Sequence, residues 1–275
     1  MNESITIAGI QANLHWEDRD ANLEMFESKI RSISTKPSVV VLPEMFSTGF
    51  SMNPAKLAET MDGPTVQWMK QQAAEMNCIL TGSVIIHDPR HDADGREAWF
   101  NRLLWVLPNG DVGYYDKRHL FAYAGEDRHY QRGNKRLITS VNGWRFNALI
   151  CYDLRFPVWA RQRPPESSGD SPEYDVLIYV ANWPERRIHA WKTLLQARAI
   201  ENQCYVIGVN RVGTDGNQIH HSGESLVVDA MGEILYYKKD EEDIFSVILE
   251  RERLEQVRQK LPFWKDADKF RIYEG

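Results

Sequence analysis

A cysteine at the end of an apolar run is the feature of this sequence that most clearly could do chemistry. Residues 146–150 (FNALI) predict a buried strand, and the polar residues after Cys151 predict the turn that leaves it. Cys151 would then lie at the mouth of a sheet, half in the core and half within reach of solvent. Because free cysteine usually behaves as a small buried hydrophobe, the position alone allows either a core residue or a nucleophile.

A cysteine that attacks a carbonyl carbon needs a lowered pKa, a proton carrier and a donor for the oxyanion. Glu44 could carry the proton, because it follows the apolar run 38–42 and Pro43, where a carboxylate is costly unless solvated, paired or used. Lys117 follows a predicted hairpin and could supply positive charge. Each also has an ordinary interpretation. Glu44 could be a salt-bridge or helix-start carboxylate, and Lys117 a solvated surface charge.

A histidine is the usual proton carrier for a cysteine, and His119 is the best placed of the eight histidines. With His119 as base, the site would be of the cysteine–histidine peptidase type, which leaves Glu44 and Lys117 without a role. His119 is equally consistent with a hydrogen-bonded structural histidine. The residues alone leave both interpretations open.

Alternating strands and helices must position these residues. Several strand segments are continuous apolar runs, which is typical of α/β folds with strands buried on both faces, and two hairpin signals indicate a mixed sheet. Functional residues in such sheets tend to follow the carboxyl ends of strands, which is where Glu44, Cys151 and the pair Asn182 and Trp183 occur. The predicted strands are 5–10, 38–42, 79–84, 102–107, 112–115, 146–150, 174–180, 205–209, 225–229 and 234–237. The predicted helices are 20–34, 64–76, 187–202 and 251–260, and segments 87–97, 119–134 and 162–172 are predicted to be irregular.

Length and composition limit the class of protein. A chain of 275 residues can bury about three-quarters of its unfolded surface, so it needs neither a disulfide nor a metal ion to fold. We expect residues 1–275 to form a single domain. The net charge of −6 and the absence of a basic block argue against nucleic-acid partners. Cys78, Cys151 and Cys204 are an odd number at wide spacing, which is not typical of a disulfide framework or a zinc ribbon.

The sequence carries no signal for a membrane or for export. Its first residues run directly into a predicted strand without a basic segment or a long apolar one, so no signal peptide is predicted. No apolar stretch is long enough to span a bilayer. These features predict a soluble protein of a reducing, cytoplasmic compartment.

Three short blocks carry a resemblance to a known family. LPEMF at 42–46, YDKRHLF at 115–121 and CYDLRFP at 151–157 resemble the signature blocks of the nitrilase superfamily of carbon–nitrogen hydrolases, in the family's order of glutamate, lysine and cysteine. Residues 126–133 are similar to the segment that carries the family's second glutamate. The resemblance covers nearly the whole chain. It implies an α/β fold, a four-layer α-β-β-α sandwich with mixed sheets, which commonly forms a homodimer.

Residues 44–50 and 118–123 are most similar to those of bacterial omega-amidases. These enzymes deaminate the open-chain amides 2-oxoglutaramate and 2-oxosuccinamate. The resemblance therefore implies an amidase that takes a small amide substrate and forms a cysteine thioester.

The resemblance also implies a role for each matched residue. Cys151 would be the nucleophile, and Glu44 would take its proton, pass it to ammonia and later activate water. Lys117, whose charge would favour the thiolate, and the backbone N–H of Tyr152 would hold the oxyanion. Glu126 would orient Lys117 or share the proton transfer.

The residues of the substrate pocket are harder to predict from the sequence. A 2-oxo dicarboxylic acid monoamide carries a carboxylate at its far end, so the pocket should hold a cation, and Arg155, Arg186 and Arg187 are candidates by position. Arg155 could instead pair with Asp153 or Glu44. The candidate wall residues are aromatic: Phe46, Phe121, Tyr123, Tyr152 and Trp183.

No HExxH spacing, paired cysteines or nucleotide-binding loop is found, so neither a metal ion nor another cofactor is expected. Two other functions stay open. One is a different member of the same superfamily, acting on N-carbamoyl groups, nitriles or other aliphatic amides. The other is a catalytically silent binding subunit, against which the four intact matched positions argue.

Overall fold

The computed structural model describes residues 3–93, 95, 97–162 and 171–272. The strands in this part of the chain are β1 (Ser4–Gln11), β2 (Val39–Val41), β3 (Ile79–His87), β4 (Trp99–Val106), β5 (Val112–Asp116), β6 (Ile138–Val141), β7 (Trp144–Ile150), β8 (Val176–Ala181), β9 (Tyr205–Asn210), β10 (Val212–Thr214), β11 (His220–Val228), β12 (Ile234–Lys239) and β13 (Asp243–Glu250). The α-helices are α1 (Arg19–Arg31), α2 (Pro54–Leu57), α3 (Pro64–Met76), α4 (Pro157–Ala160), α5 (Ile188–Asn202) and α6 (Arg251–Lys260).

The strands form two mixed sheets. The first has the order β13-β1-β2-β3-β4-β5, and the second has the order β10-β11-β9-β8-β7-β6 with β12 paired to β11. The centre of each sheet is parallel, with β1, β2 and β3 in one and β7, β8 and β9 in the other. The flanking pairs are antiparallel, including the β4–β5 hairpin that the sequence predicts. The prediction of mixed sheets is confirmed.

The two sheets pack face to face, and helices cover their outer faces. Alternation along β2 shows this packing, because Val39 and Val41 join a core shared with the second sheet, whereas Val40 faces α1 and α3. Helix α5 packs against β9 and β11 on the outer face of the second sheet. The result is the predicted four-layer α-β-β-α sandwich.

Local sequence signals set the ends of the main helices. Helix α3 begins at Pro64, whose fixed φ suits the first turn, and ends before Asn77, which adopts the left-handed conformation with a φ of +49°. Helix α5 ends in the same way at Gln203. These caps explain why both predicted helices lie within a few residues of the observed ones.

The edge strand β13 is not predicted from the sequence. It pairs antiparallel with β1, and its side chains are mostly half-buried or exposed, so it lacks the continuous apolar run that marks the central strands. Strand β11 begins five residues earlier than predicted, and a register shift follows Gly223. Of the segments predicted to be irregular, Asp94, Arg96 and 163–170 lie outside the described residues.

Candidate active site

Cys151 follows β7 directly and begins a short 3₁₀ turn, Cys151–Arg155. Its φ of +43° is a left-handed conformation that is rare and strained for a residue with a side chain. The turn is held by Asp153, whose Oδ2 accepts hydrogen bonds from the backbone N–H of Ile150 at 3.0 Å and from the hydroxyl of Tyr115 at 2.7 Å. These bonds fix the backbone on which the cysteine sits.

A buried lysine joins two buried glutamates beside this turn. Lys117 Nζ donates to Glu44 Oε1 at 2.8 Å and to both carboxylate oxygens of Glu126 at 2.9 Å. All three side chains are completely buried. Burial alone would lower the pKa of Lys117, but the carboxylates of Glu126 and Glu44 raise it above its ordinary value, so the lysine is charged. The same burial raises the pKa of Glu126, and Lys117 opposes that effect.

Two asparagines complete the surroundings of Glu44. Asn101 Nδ2 donates to Glu44 Oε1 at 2.8 Å, and the backbone N–H of Asn182 donates to Glu44 Oε2 at 2.9 Å. The Asn182 side chain also donates to the backbone carbonyl of Glu44. The sequence reading singled out Asn182 at the end of β8 but missed Asn101, for which the available signal was a polar residue inside the apolar strand β4.

The thiol of Cys151 lies within the electrostatic influence of both Glu44 and Lys117. Burial, reinforced by the negative charge of Glu44, raises the pKa of Cys151 well above its ordinary value, and Lys117 opposes this effect without offsetting it. Lys117 therefore acts in the direction expected from the sequence, but its charge is already shared between two carboxylates. A neutral thiol close to a carboxylate follows, rather than a resting thiolate.

Cys151 opens into a cavity of about 590 Å³. Lys117 lines this cavity, as do the predicted wall residues Phe121, Tyr123, Tyr152 and Trp183 and the predicted arginines Arg155, Arg186 and Arg187. Further lining residues, which the sequence analysis does not predict, come from other parts of the chain: Trp16, Phe50, Met52, Asn217, Ile219 and His221. Glu126 is not among the lining residues and lies behind Lys117.

The arginines give the cavity a positive side. The guanidinium carbon of Arg155 lies 5.0 Å from the ring centre of Trp183, and that of Arg187 lies 5.1 Å from the ring centre of Phe121. Within the described parts of the chain, no carboxylate forms an ion pair with Arg155, Arg186 or Arg187. Arg155 is thus not used by Asp153 or Glu44. Burial and the neighbouring Arg186 lower the pKa of Arg187, as expected for cations that lack a counter-ion.

Comparison with known proteins agrees with this geometry. The family model for carbon-nitrogen hydrolase matches residues 6–259. The chain belongs to the carbon–nitrogen hydrolase family. The family predicted from the three sequence blocks is thereby confirmed.

The relatives include Omega-amidase YafV of Escherichia coli (strain K12), which is 42% identical over 270 residues, or 98% of this chain and 99% of the relative. The 2-oxoglutaramate amidase of Bacillus subtilis (strain 168) is 31% identical over 268 residues, or 96% of this chain and 98% of the relative.

Among solved structures, XC1258 from Xanthomonas campestris, a CN-hydrolase superfamily protein with an arsenic adduct in the active site, is 40% identical with a TM-score of 0.94. That match covers 99% of this chain and 100% of XC1258. Saccharomyces cerevisiae Nit3, of the nitrilase superfamily, is 26% identical with a TM-score of 0.81, covering 95% of this chain and 96% of Nit3.

Phe46 does not lie where the sequence predicts it. The prediction places it in the pocket wall, but its side chain is completely buried and packs between Phe26 and Trp68, at ring distances of 5.5 and 5.9 Å. The reason is the turn after Pro43, which directs Glu44 toward Lys117 and returns Phe46 to the core between the first sheet and its helices.

His119 has a structural environment. Its Nδ1 lies 2.8 Å from Asp153 Oδ1, its backbone N–H donates to the same oxygen at 3.0 Å, and its ring stacks on Phe156 at 3.8 Å. It is not among the residues that line the cavity with Cys151. This geometry gives no support to a cysteine–histidine site.

The other two cysteines are core residues. Cys78 and Cys204 are buried in the two main hydrophobic clusters, and burial raises the pKa of Cys78 to about 11. Three exposed side chains, Glu185, His220 and Asp240, bring possible metal ligands within 4.8 Å of one another, but none of them lines the cavity. No helix in the described part of the chain is both long and apolar enough to cross a membrane.

Proposed function

We propose that this protein is an omega-amidase that hydrolyses the terminal amide of 2-oxo dicarboxylic acid monoamides such as 2-oxoglutaramate and 2-oxosuccinamate. The observation that carries the proposal is a cysteine paired with a carboxylate base in a cavity whose arginines lack carboxylate partners within the described residues. The names of the relatives at 42% and 31% identity support the same substrate class.

In the first step, Glu44 takes the thiol proton while Cys151 Sγ attacks the amide carbon. A concerted transfer is required because the thiol is neutral before attack. The oxyanion that forms accepts hydrogen bonds from the Lys117 ammonium and from the backbone N–H of Tyr152. The Tyr152 N–H lies in the first turn of a helix, where backbone donors have no partner within the helix. Each such donor typically accounts for ~10²–10³ in rate.

In the second step, the tetrahedral intermediate collapses and the carbon–nitrogen bond breaks. Glu44 passes the proton to the departing nitrogen, which leaves as ammonia, and a thioester remains on Cys151. Glu44 then takes a proton from water, the resulting hydroxide attacks the thioester carbon, and the proton returns to the sulfur as the acid is released. Every proton in this cycle moves through one carboxylate.

Glu126 would act through Lys117. Its two contacts of 2.9 Å hold the ammonium from the side opposite the cavity, and its Oε2 also accepts the backbone N–H of Phe121 at 2.6 Å. It therefore links the lysine to a residue of the cavity wall. In this role Glu126 orients Lys117 rather than exchanging protons with the substrate.

The substrate carboxylate would bind on the arginine side. Arg155 lies four residues after Cys151, and its stacking on Trp183 presents a guanidinium group without an ion pair in the described chain. Bidentate binding to a carboxylate suits this group. Arg186 would provide a second cation, and Phe121, Tyr152 and Trp183 would form the walls.

Ammonia release from a panel of amides tests this function. The panel contains 2-oxoglutaramate, succinamate, an N-carbamoyl amino acid and a simple nitrile. We expect the 2-oxo acid amide to give the highest kcat/KM. Turnover of the N-carbamoyl compound with none of the 2-oxo acid amide would refute the omega-amidase assignment and favour another activity of the same family.

Two variants test the machinery. Cys151→Ala and Glu44→Gln should each abolish turnover while the protein stays folded, as judged by its melting temperature. A Glu44→Gln variant that keeps most of its activity would exclude Glu44 as the base. No ammonia release by the wild-type protein from any amide of the panel would instead support a non-catalytic binding subunit.

We further propose a single domain that forms a homodimer in the cytoplasm. The shared core between the two sheets supports one domain, and three free cysteines fit a reducing compartment. Ile200 of α5 and Met231 in the β11–β12 turn are half-exposed apolar side chains that could lie in an interface. Light scattering after gel filtration tests the dimer: a monomeric mass, or no effect of Ile200→Asp on a dimeric one, would contradict this interface.

A further inference from the structure

Asn101 lies beneath the proposed catalytic groups, in β4, and is completely buried. Its backbone carbonyl accepts the N–H of Lys117 at 3.0 Å. Its side-chain Nδ2 donates to Glu44 Oε1 at 2.8 Å and to Glu126 Oε1 at 3.2 Å. One asparagine thus contacts the lysine through its backbone and both glutamates through its amide.

We infer that Asn101 is a positioning residue that holds Glu44 and Glu126 apart in a fixed geometry and sets which oxygen of Glu44 exchanges protons. The inference rests on the proposed function for the role of Glu44 as base. Lys117 also joins the two glutamates, but in the transition state it must share its protons with the oxyanion. Asn101 is a donor to both carboxylates that carries no charge and has no other task in the reaction.

The arrangement around Glu44 shows how this works. Oε1 accepts from two donors, Asn101 and Lys117, whereas Oε2 accepts one backbone N–H from Asn182. Oε2 therefore keeps a lone pair for the thiol proton of Cys151. Without the amide of Asn101, the Glu44 carboxylate could rotate. Its Oε1 would keep only Lys117 as a donor and would still lie near the Glu126 carboxylate.

The amide end of Asn101 is what the site uses. Its Nδ2 has two carboxylate acceptors, whereas its Oδ1 has no hydrogen-bond partner in the described structure. An unpaired buried polar atom is costly, and the two contacts of Nδ2 with the glutamates offset that cost here. The unpaired Oδ1 is the expected consequence of an amide orientation that directs both N–H groups of Nδ2 toward the two glutamates.

The experiment compares kcat and KM across pH for Asn101→Leu and Asn101→Asp. A hydrogen bond favours the ionised carboxylate over the protonated one, so losing it in Asn101→Leu should move the acidic limb of the kcat/KM profile up by ~1–2 pH units. We expect kcat at neutral pH to fall ~10–100-fold. KM should change little, because Asn101 does not line the cavity.

Asn101→Asp gives a distinct signature. The introduced carboxyl can donate one hydrogen bond when it is protonated, but it adds a third negative charge when it ionises. Its activity should therefore decline with rising pH over a range where Asn101→Leu gains activity. This variant also keeps the test valid if Asn101→Leu fails to fold.

Asn147→Leu is the matched control. Asn147 is also a completely buried strand asparagine, in β7, and neither of its side-chain polar atoms has a partner in the described structure. We expect its pH profile to match the wild type. An equal shift of the acidic limb in this control, or no shift in a folded Asn101→Leu, would overturn the inference.

The outcome can be separated from the substrate assignment. The profiles use whichever amide of the panel the wild type hydrolyses fastest, so a different preferred amide would refute the proposed substrate and leave the Asn101 test intact. The rate of Cys151 alkylation by iodoacetamide against pH provides a readout without any substrate. An unchanged alkylation profile in both Asn101 variants would also count against the inference.

Discussion

Replacing Glu126 by glutamine should separate the reactivity of Cys151 from turnover. With both carboxylates ionised, Lys117 and its two partners carry a net charge of one negative unit in a completely buried site. The substitution makes that set neutral without changing its shape. Burial is the main reason that the pKa of Cys151 is raised, and the charges of Glu44 and Glu126 add to it. Removing one of these charges should lower the pKa of the thiol.

The effect on turnover has the opposite sign. Two contacts of 2.9 Å between the Lys117 ammonium and the Glu126 carboxylate become one hydrogen bond from the ammonium to a neutral amide oxygen. A hydrogen bond to a charged group contributes ~1.5–3 kcal/mol. This hydrogen-bond energy orients the Lys117 ammonium toward the oxyanion. If the transition state loses that stabilisation, kcat/KM should fall ~10–100-fold. Lys117 would also bind Glu44 more tightly, which weakens Glu44 as a base.

Iodoacetamide alkylation and ammonia release measure the two effects separately. For Glu126→Gln we expect faster alkylation of Cys151 at pH 7 and slower turnover. The control is Glu224→Gln, because Glu224 is also buried and paired with a lysine, Lys192, at 2.8 Å, but does not line the cavity. Slower alkylation in Glu126→Gln, or wild-type turnover, would refute this electrostatic account of Glu126.

Three further outcomes follow from the same geometry. Arg155→Met should raise KM for 2-oxoglutaramate ~10–100-fold but leave an uncharged aliphatic amide unaffected, since it removes a charge-assisted contact; equal losses for both substrates would exclude the carboxylate role. His119→Leu should lower the free energy of unfolding by ~1–2 kcal/mol, because Asp153 loses one partner, with little change in turnover; an inactive but stable variant would revive the histidine as base. Cys78 is buried in the core with a pKa raised to about 11 by burial, and it does not line the cavity, whereas Cys151 opens into the cavity; because the reagent can reach only Cys151, mass spectrometry at pH 8 should find alkylation at Cys151 and not at Cys78.

The sequence predicts which residues at strand ends carry the chemistry, but it does not predict what surrounds them. Glu44 and Cys151 each follow an apolar run, and a strand end is where a sheet exposes polar side chains, so pattern and resemblance lead to the same residues. Asn101 sits within a strand, where the pattern shows only that Asn101 and Arg102 are polar among apolar residues. The pattern does not predict that Asn101 contacts Glu44 and Glu126, because both glutamates belong to chain segments far from it in sequence.

The cavity walls are also hard to predict from the sequence. Phe46 is two residues from Glu44, yet it belongs to the core, whereas Trp16 and His221 line the cavity from opposite ends of the chain. Nearness in sequence is a poor guide to these walls, since a tight turn sends successive side chains to opposite faces. The turn at Met45, whose φ is +42°, is the local reason that Glu44 and Phe46 diverge.

The charge arrangement of the site fits the proposed use of a carboxylate base. Beneath Cys151 two buried carboxylates share one lysine, whereas the cavity carries arginines without carboxylate partners in the described chain. A substrate with a carboxylate at one end and a neutral amide at the other fits this polarity in one orientation, with its amide at the thiol. Hydrolysis then turns the neutral end into a second carboxylate beside Glu44. Because like charges repel strongly in a site of low dielectric, the reaction itself creates the force that favours release of the product.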